Sequence, residues 1–318
     1  MQFISPEQVH SALAYPKFID ALSDSFASTY TMPARQVLAL DEAEDNRDAF
    51  ALLPAWDKNS IGLKCFAYMP DNEAPYDPLY AQVLLFDRKH GFPKALVDGI
   101  SVTLLRTAGV SGLASRYLSR ENSERMVLLG TGKLAPYLIR AHASVRKLKT
   151  IEVWGRNTDK AQAVVDEVQA DVPDVELVVC KNLEASCREA DIVVAATGSH
   201  DPLIHGEWLK PGAYVDCLGN HHADGRECDT ETVTRSRVFV DTKANCFKEA
   251  GEILLPVEEG KFSLDEVAGE LSDLCRGTVT GRENDEQVTF FKSVGCALGD
   301  LCGAATAFEE SKGVELGG

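Results

Sequence analysis

A glycine turn set between a short apolar strand and a helix constrains this chain more than any other feature. Met126-Val127-Leu128-Leu129 runs directly into Gly130-Thr131-Gly132-Lys133-Leu134-Ala135, a G-x-G-x-x-A pattern. Gly130 permits the tight turn, Gly132 has no side chain to block a close-lying pyrophosphate, and Ala135 lets helix and strand approach each other. The helix N-terminus then offers free amides and the positive end of its dipole. Such a pattern is informative only between a strand and a helix, which is where it stands here. Gly130, Thr131, Gly132, Lys133 and Leu134 are therefore the expected cradle of a dinucleotide.

The surrounding pattern agrees. From Arg125 onward, strands are expected at 126–129, 151–154, 177–180, 192–196, 214–218 and 238–240, with helical stretches at 134–146, 159–168 and 229–235. Short apolar strands alternating with helices predict an α/β fold, a Rossmann-type parallel sheet covered on both faces. The first 118 residues are mixed. Ser5-Pro6-Glu7-Gln8 is a capped helix start, and Phe18, Ile19, Leu22 and Phe26 continue at helical spacing. Strand-like runs follow at 36–40, 49–53, 61–68, 81–86 and 92–97, the last two flanking a Lys89-His90-Gly91 turn. Residues 100–118 read as one helix burying Leu104, Val110, Leu113 and Leu118. The tail from Thr289 to Glu310 reads as a second long helix. The expected domains are 119–289, binding the dinucleotide, and 1–118 with 290–318.

Composition removes several function classes. With 32 basic against 49 acidic residues the formal net charge is −17, so a phosphate backbone is repelled and nucleic acid is a poor partner. No apolar stretch approaches the ~20 residues of a membrane helix, and the N-terminus has no signal-peptide pattern. Nine cysteines at scattered spacings fit no zinc ribbon or disulfide framework. A cytoplasmic protein without a metal is expected.

The second strand ends Val153-Trp154-Gly155-Arg156-Asn157-Thr158. An acidic residue here normally holds the ribose hydroxyls of NAD, whereas an Arg suits a 2′-phosphate. Arg156, with Asn157 and Thr158, therefore points to NADPH, NADH remaining possible; the alternative is a solvated surface charge. Ligands in open α/β sheets lie beyond the strand carboxyl ends. Thr197 and Ser199 after one strand, and Leu218 and Gly219 after another, are expected beside the nicotinamide, unless the two hydroxyl residues are ordinary turn residues.

Several segments together resemble the ornithine cyclodeaminase/mu-crystallin family: Met32-Pro33-Ala34-Arg35, Gly62-Leu63-Lys64, and Val97-Asp98-Gly99 leading to Thr103-Leu104-Leu105-Arg106-Thr107-Ala108. Gly130-Thr131-Gly132, Arg226-Glu227-Cys228-Asp229, Gly251-Glu252-Ile253 and Phe291-Lys292-Ser293-Val294-Gly295 follow in order. The resemblance implies a Rossmann-type domain, an α+β substrate-binding and dimerisation domain built from the N-terminal part and the last helix, and a homodimer. It implies a nicotinamide cofactor and chemistry at the α-carbon of an amino acid or its cyclic imine. By position, Arg35, Lys64 and Arg106 match residues that hold a substrate carboxylate, and Thr107 matches a cofactor contact. Read alone, each cation would be a surface charge, although Arg offers a bidentate grip on a carboxylate.

Within the family, cyclodeaminases resemble one another in two acids. One precedes a Leu-Met-Pro-like segment and the other follows a Val-Gly-Gly-like strand end. Here Ala51 and His221 stand at those positions. Ala51 accepts no proton, and His221 is no anionic partner for a substrate amine. The expected activity is therefore reduction of a cyclic ketimine carboxylate, Δ1-pyrroline-2-carboxylate or Δ1-piperideine-2-carboxylate, with the carboxylate clamped and one proton supplied. Lys64 and His221 are the candidate catalytic residues; a histidine near neutral pH suits general acid work. Ornithine cyclodeamination, an N-substituted amino-acid dehydrogenase and a non-enzymatic NADPH or small-molecule binder are the alternatives.

Overall fold

A computed structural model describes residues 1–41 and 47–315. In chain order the elements are β1 (Gln2–Ile4), α1 (Pro6–Ala12), α2 (Lys17–Ala27), β2 (Gln36–Ala39), β3 (Ala49–Trp56), β4 (Ser60–Tyr68), β5 (Leu79–Asp87), β6 (Pro93–Asp98) and α3 (Gly99–Leu118). They continue with β7 (Arg125–Leu129), α4 (Ala135–Val145), β8 (Thr150–Trp154), α5 (Thr158–Val168), β9 (Glu176–Val179), α6 (Leu183–Glu189), β10 (Ile192–Ala195), β11 (Tyr214–Cys217), α7 (Thr230–Thr234) and β12 (Arg237–Val240). The last are α8 (Lys243–Glu249), α9 (Gly251–Glu258), β13 (Gly269–Glu270), α10 (Leu271–Arg276), β14 (Thr289–Lys292) and α11 (Ala297–Glu315).

The chain divides into two compact units, Met1–Thr107 with Cys296–Gly318, and Ala108–Gly295. The division falls inside α3, so 108–118 and 290–295, grouped with the first domain from sequence, belong to the second unit. Positions 42–46 and 316–318 of that expected domain lie outside the described residues. None of the described helices is long and apolar enough to cross a membrane.

The first unit is a six-stranded sheet in the order β1-β6-β5-β4-β3-β2. Only β1 runs parallel to its neighbour. Side chains alternate across it as a half-buried sheet requires: Ala51, Leu53 and Ala55 of β3 are buried, and the residues between them are half-buried. Helices α1, α2 and α11 pack on this unit, α11 against β3, β4, β5 and β6. Gly62 lets α11 approach, because a Cβ there would lie 2.9 Å from Leu301. Ser5 caps α1 in a capping box, and Phe18, Ile19, Leu22 and Phe26 of α2 are buried.

The second unit is an eight-stranded parallel sheet in the order β13-β12-β14-β11-β10-β7-β8-β9. It is doubly wound and Rossmann-type. From β7 the chain first builds outward through β8 and β9, then returns to the other side of β7 with β10 and β11. The switch point therefore lies between β7 and β10. One sequence expectation fails here. Thr289–Lys292 is not the start of a helix but strand β14, paired in parallel with β11 and β12. A short run such as Thr-Phe-Phe-Lys has no period of its own to separate strand from helix, and its two partners are far away in sequence. Leu104 is also only half-buried, because α3 is buried around most of its circumference and Leu105 and Arg106 take the buried positions.

Helix α3 ends on charges. The Arg146 guanidinium donates to the carbonyls of Ser115, Arg116, Ser119 and Arg120 at 2.9–3.0 Å. Arg282 donates its backbone N–H to Tyr117 O at 3.3 Å and its Nε to Leu118 O at 2.8 Å. All four carbonyls that a helix C-terminus leaves without intrahelical partners are thereby met. Arg146→Ala takes a donor from two of them, Ser115 and Arg116, and from Ser119 and Arg120 just beyond, and should destabilise the protein by about 3 kcal/mol. Arg146→Lys should recover little, since one ammonium cannot span that set. Urea unfolding followed by circular dichroism measures both.

Candidate active site

The second unit carries a cleft of about 320 Å3 at the carboxyl ends of β7, β8 and β10. It is lined by Gly130, Thr131, Gly132, Trp154, Gly155, Arg156, Ala196, Thr197, Gly198, Ser199 and Leu203. This is the switch-point crevice in which α/β sheets bind ligands. Gly130 has φ +122°, and a Cβ there would collide with the Ala196 carbonyl. The turn therefore demands glycine on two counts. A Cβ on Gly132 or on Gly198 would meet nothing within 4 Å. These glycines leave room for a group laid against the backbone, and the cleft fits a dinucleotide.

The expected cofactor residues separate into three sets. Gly130, Thr131, Gly132, Arg156, Thr197 and Ser199 line the cleft. Lys133 and Leu134 do not; they form the turn that enters α4. Asn157 is the N-cap of α5, its Oδ1 accepting from the amides of Asp159 and Lys160 at 2.9 and 3.1 Å. Its side chain is thus committed to the helix, and Thr158 is the first residue of α5, exposed. Leu218 is buried. Gly219 packs so tightly on Thr197 that a Cβ would collide with its amide.

Beneath the loops after β10 and β11 lies a cluster the sequence reading did not assemble. Glu227 is fully buried. Its Oε1 accepts from Thr197 N at 2.6 Å and Thr197 Oγ1 at 2.8 Å. Its Oε2 accepts from Gly219 N at 2.7 Å and Asn220 N at 3.3 Å. One carboxylate thus ties both loops together. Its own amide donates to Glu252 Oε1 at 3.0 Å. Glu252 Oε2 pairs with Lys292 Nζ at 2.7 Å, and Lys292 also donates to Asn220 O at 2.7 Å. Burial works against the Lys292 ammonium, but Glu252 and Glu227 outweigh it and hold its pKa above the usual range. Burial raises the Glu227 pKa, with Lys292 opposing. The sequence signal was a charge inside an apolar run, as in Phe290-Phe291-Lys292 and Glu252-Ile253-Leu254.

The first unit gathers the three expected cations. Lys64 on β4 and Arg106 on α3 are buried, and half-buried Arg35 lies near enough to bear on Lys64. Lys64 Nζ donates to Thr103 Oγ1 at 2.6 Å and meets Asp300 Oδ1 at 3.1 Å. Arg106 Nε donates to the same Oδ1 at 3.0 Å. Burial lowers the Lys64 pKa, with Arg106 and Arg35 acting in the same direction and Asp300 opposing them. Leu53 and Val83 are the direct cross-strand partners of Lys64, and Ala51 lies on the same buried face. Thr107 follows Arg106 on α3, half-buried. His221 is exposed on the loop after β11, 6.3 Å from the His222 ring, which lies 5.9 Å from that of His200. Arg226, on the same loop, is taken by Glu259 at 2.9 Å, and Asp229 caps α7.

The sequence model of the ornithine cyclodeaminase/mu-crystallin family matches residues 3–315. A Δ1-pyrroline-2-carboxylate reductase of Colwellia psychrerythraea is 45% identical over 313 residues, which is 98% of this chain and 99% of that relative. Among solved structures, the Δ1-pyrroline-2-carboxylate reductase of Thermococcus litoralis, in complex with NADH and L-proline, has a TM-score of 0.92 at 27% identity, covering 99% of this chain and 98% of that one. An archaeal alanine dehydrogenase dimer with bound NAD has a TM-score of 0.90 at 25% identity, covering 100% and 98%.

The two glycines of the turn give opposite expectations. Gly132→Val puts its side chain into open space, so the melting temperature should hold while the Kd for the nicotinamide dinucleotide rises at least tenfold. Gly130→Ala meets backbone at a positive φ and should lower the melting temperature itself. Thermal unfolding with a parallel fluorescence titration of the reduced dinucleotide separates the two; unchanged affinity in Gly132→Val would remove the cleft as the dinucleotide site.

Proposed function

The chain belongs to the ornithine cyclodeaminase/mu-crystallin family, and we propose that it is an NADPH-dependent reductase of cyclic ketimine carboxylates. Its substrates are Δ1-pyrroline-2-carboxylate, Δ1-piperideine-2-carboxylate or both, and its products L-proline and L-pipecolate. The observation that carries this reading is the buried cation set of the first unit. Lys64 and Arg106 share a single carboxylate, Asp300, and so retain a positive surplus suited to a substrate carboxylate. Their surroundings support an imine ring rather than a diamino acid: Ala51, Leu53 and Val83 offer no anion to a side-chain ammonium, and Asp300 is already paired with Lys64 and Arg106. The 45% identical reductase over nearly the whole chain supports the same substrate class.

The dinucleotide, when bound, supplies the hydride. The protein's own residues do the rest. Arg106, Lys64 and Arg35 hold the carboxylate, fixing the imine carbon for attack. The imine nitrogen needs one proton, and Lys64 Nζ is suited to give it. Its lowered pKa makes the ammonium a better acid than a free lysine, and solvent restores the proton after turnover. Exposed His221 is the alternative donor. NADPH preference rests on Arg156, which lines the cleft at the end of β8, where no carboxylate stands to repel a 2′-phosphate.

The active species is a homodimer joined through the first unit. In support, Pro54, Leu63, Leu84, Leu96 and Phe3 form one apolar row across β3, β4, β5, β6 and β1. Phe3 is 56% exposed, and the other four are half-buried. A contiguous apolar strip of this kind marks an interaction surface. The archaeal alanine dehydrogenase with this fold is a dimer.

A substrate panel tests the reaction. Purified protein should consume NADPH with either cyclic ketimine acid far faster than it releases ammonia from ornithine. NADPH should show a lower KM than NADH, and Arg156→Ala should erode that preference by roughly tenfold, the loss of one charge-assisted contact. Comparable ammonia release from ornithine would sink the reductase reading, and equal KM values would sink the cofactor reading. Sedimentation tests the assembly: the native protein should run as a pair and Leu63→Asp with Leu84→Asp as single chains. A native single chain rules the pairing out.

A further inference from the structure

Among the described residues Asp300 is the one acid paired with Lys64 and Arg106, and its bonding is lopsided. It stands in the first turn of α11, 1% exposed. Both cations reach it through Oδ1, Lys64 at 3.1 Å and Arg106 at 3.0 Å. Its Oδ2 is buried without a hydrogen-bond partner among the described residues. A buried carboxylate is costly unless paired. One that leaves an oxygen unmet is not there to saturate hydrogen bonds; it is held by charge.

The donors it leaves over are informative. A lysine ammonium has three donors and a guanidinium five. Lys64 uses two, on Thr103 and Asp300. Arg106 uses Nε alone, and among the described residues its two Nη groups have no partner. Thr103 Oγ1 in turn donates to Gly99 O at 2.6 Å, so its lone pair faces the ammonium. Asp300 therefore turns the guanidinium so that its Nη1–Nη2 end is left for a ligand, next to one remaining ammonium proton. That end is the edge that forms two parallel bonds to a carboxylate.

We propose that Asp300 is a positioning residue: through Oδ1 it sets the Lys64 ammonium and the Arg106 guanidinium side by side as one anion grip. It acts on the substrate only through those two side chains. The proposal rests on the ketimine-reductase reading of the same site. The charged groups bearing on Lys64 are Asp300 from α11, Arg106 from α3, and Arg35 from the segment ahead of β2. Asp300 alone among them raises the Lys64 pKa. Removing its charge lowers that pKa further, and the grip then loses a cation at lower pH.

The test compares Asp300→Asn with Arg106→Ala, each profiled against pH with Δ1-pyrroline-2-carboxylate and NADPH. L-Proline binding to the NADP+-loaded protein is measured by calorimetry alongside. Arg106→Ala sets the scale, with kcat/KM down at least 30-fold. For Asp300→Asn, KM should rise at least tenfold with a smaller change in kcat, L-proline should bind correspondingly more weakly, and the alkaline limb of kcat/KM should move to lower pH. If Arg106→Ala is as active as the native protein, the carboxylate site itself is misplaced. If Arg106→Ala fails while Asp300→Asn keeps native KM, L-proline affinity and alkaline limb, the positioning role alone is overturned. Should Asp300→Asn not fold, Asp300→Glu takes its place. Its longer arm displaces both cations and should raise KM; a native KM there overturns the proposal equally.

Discussion

The Rossmann-type unit depends on three charges shut away from water. Glu227, Glu252 and Lys292 are all fully buried, and they arrive from the loop ahead of α7, from α9 and from β14. The arrangement holds because the ammonium answers the two acids, and because amides and a hydroxyl satisfy the Glu227 carboxylate. Taking away one member would leave a dry, unpaired charge, a change that typically costs about 3–5 kcal/mol. What the cluster secures is local and chemical. Thr197 and Gly219 end different strands, yet both bond to the one carboxylate of Glu227. The floor of the cleft is thus a fixed surface rather than two independent loops.

The first unit buries a cluster of the opposite sign. Its buried charges are left out of balance, with Asp300 facing Lys64 and Arg106 and with Arg35 close by. A surplus of buried charge costs stability unless it is paired, and that surplus is the ground of the proposed anion site. The two units thus bury clusters of opposite surplus: two carboxylates on one ammonium in the second unit, two cations on one carboxylate in the first.

How much of this was legible in the sequence follows from how local each feature is. The Gly130–Ala135 turn is contiguous, so the residues alone locate the switch-point crevice. The Ser5 cap, the Asp229 cap and the buried face of α2 are equally short-range. Strand β14 was not legible, since its strand character comes from lying between β11 and β12. Asn157 was misleading for the same reason: a residue next to Arg156 at a strand end looks like a ligand contact until the helix it caps is seen. Glu227, Glu252 and Lys292 were visible only as parts of separate family-like segments, and nothing in the spacing joins them. Asp300 carried no signal at all, being one acid at the start of a helix, where acids are common for electrostatic reasons of their own.

The buried cations sit inside a chain with a formal net charge of −17. A multiply charged dinucleotide, and the carboxylate substrate proposed for the chain, approach a molecule whose net charge repels them at long range. Ions in solution screen the repulsion beyond a Debye length, about 8 Å at physiological ionic strength, but act far less on buried groups. Net repulsion of this kind predicts association that quickens as salt is added, contrary to the behaviour of an electrostatically steered pair. Salt would then aid encounter, up to the point where small anions begin to occupy the proposed grip themselves.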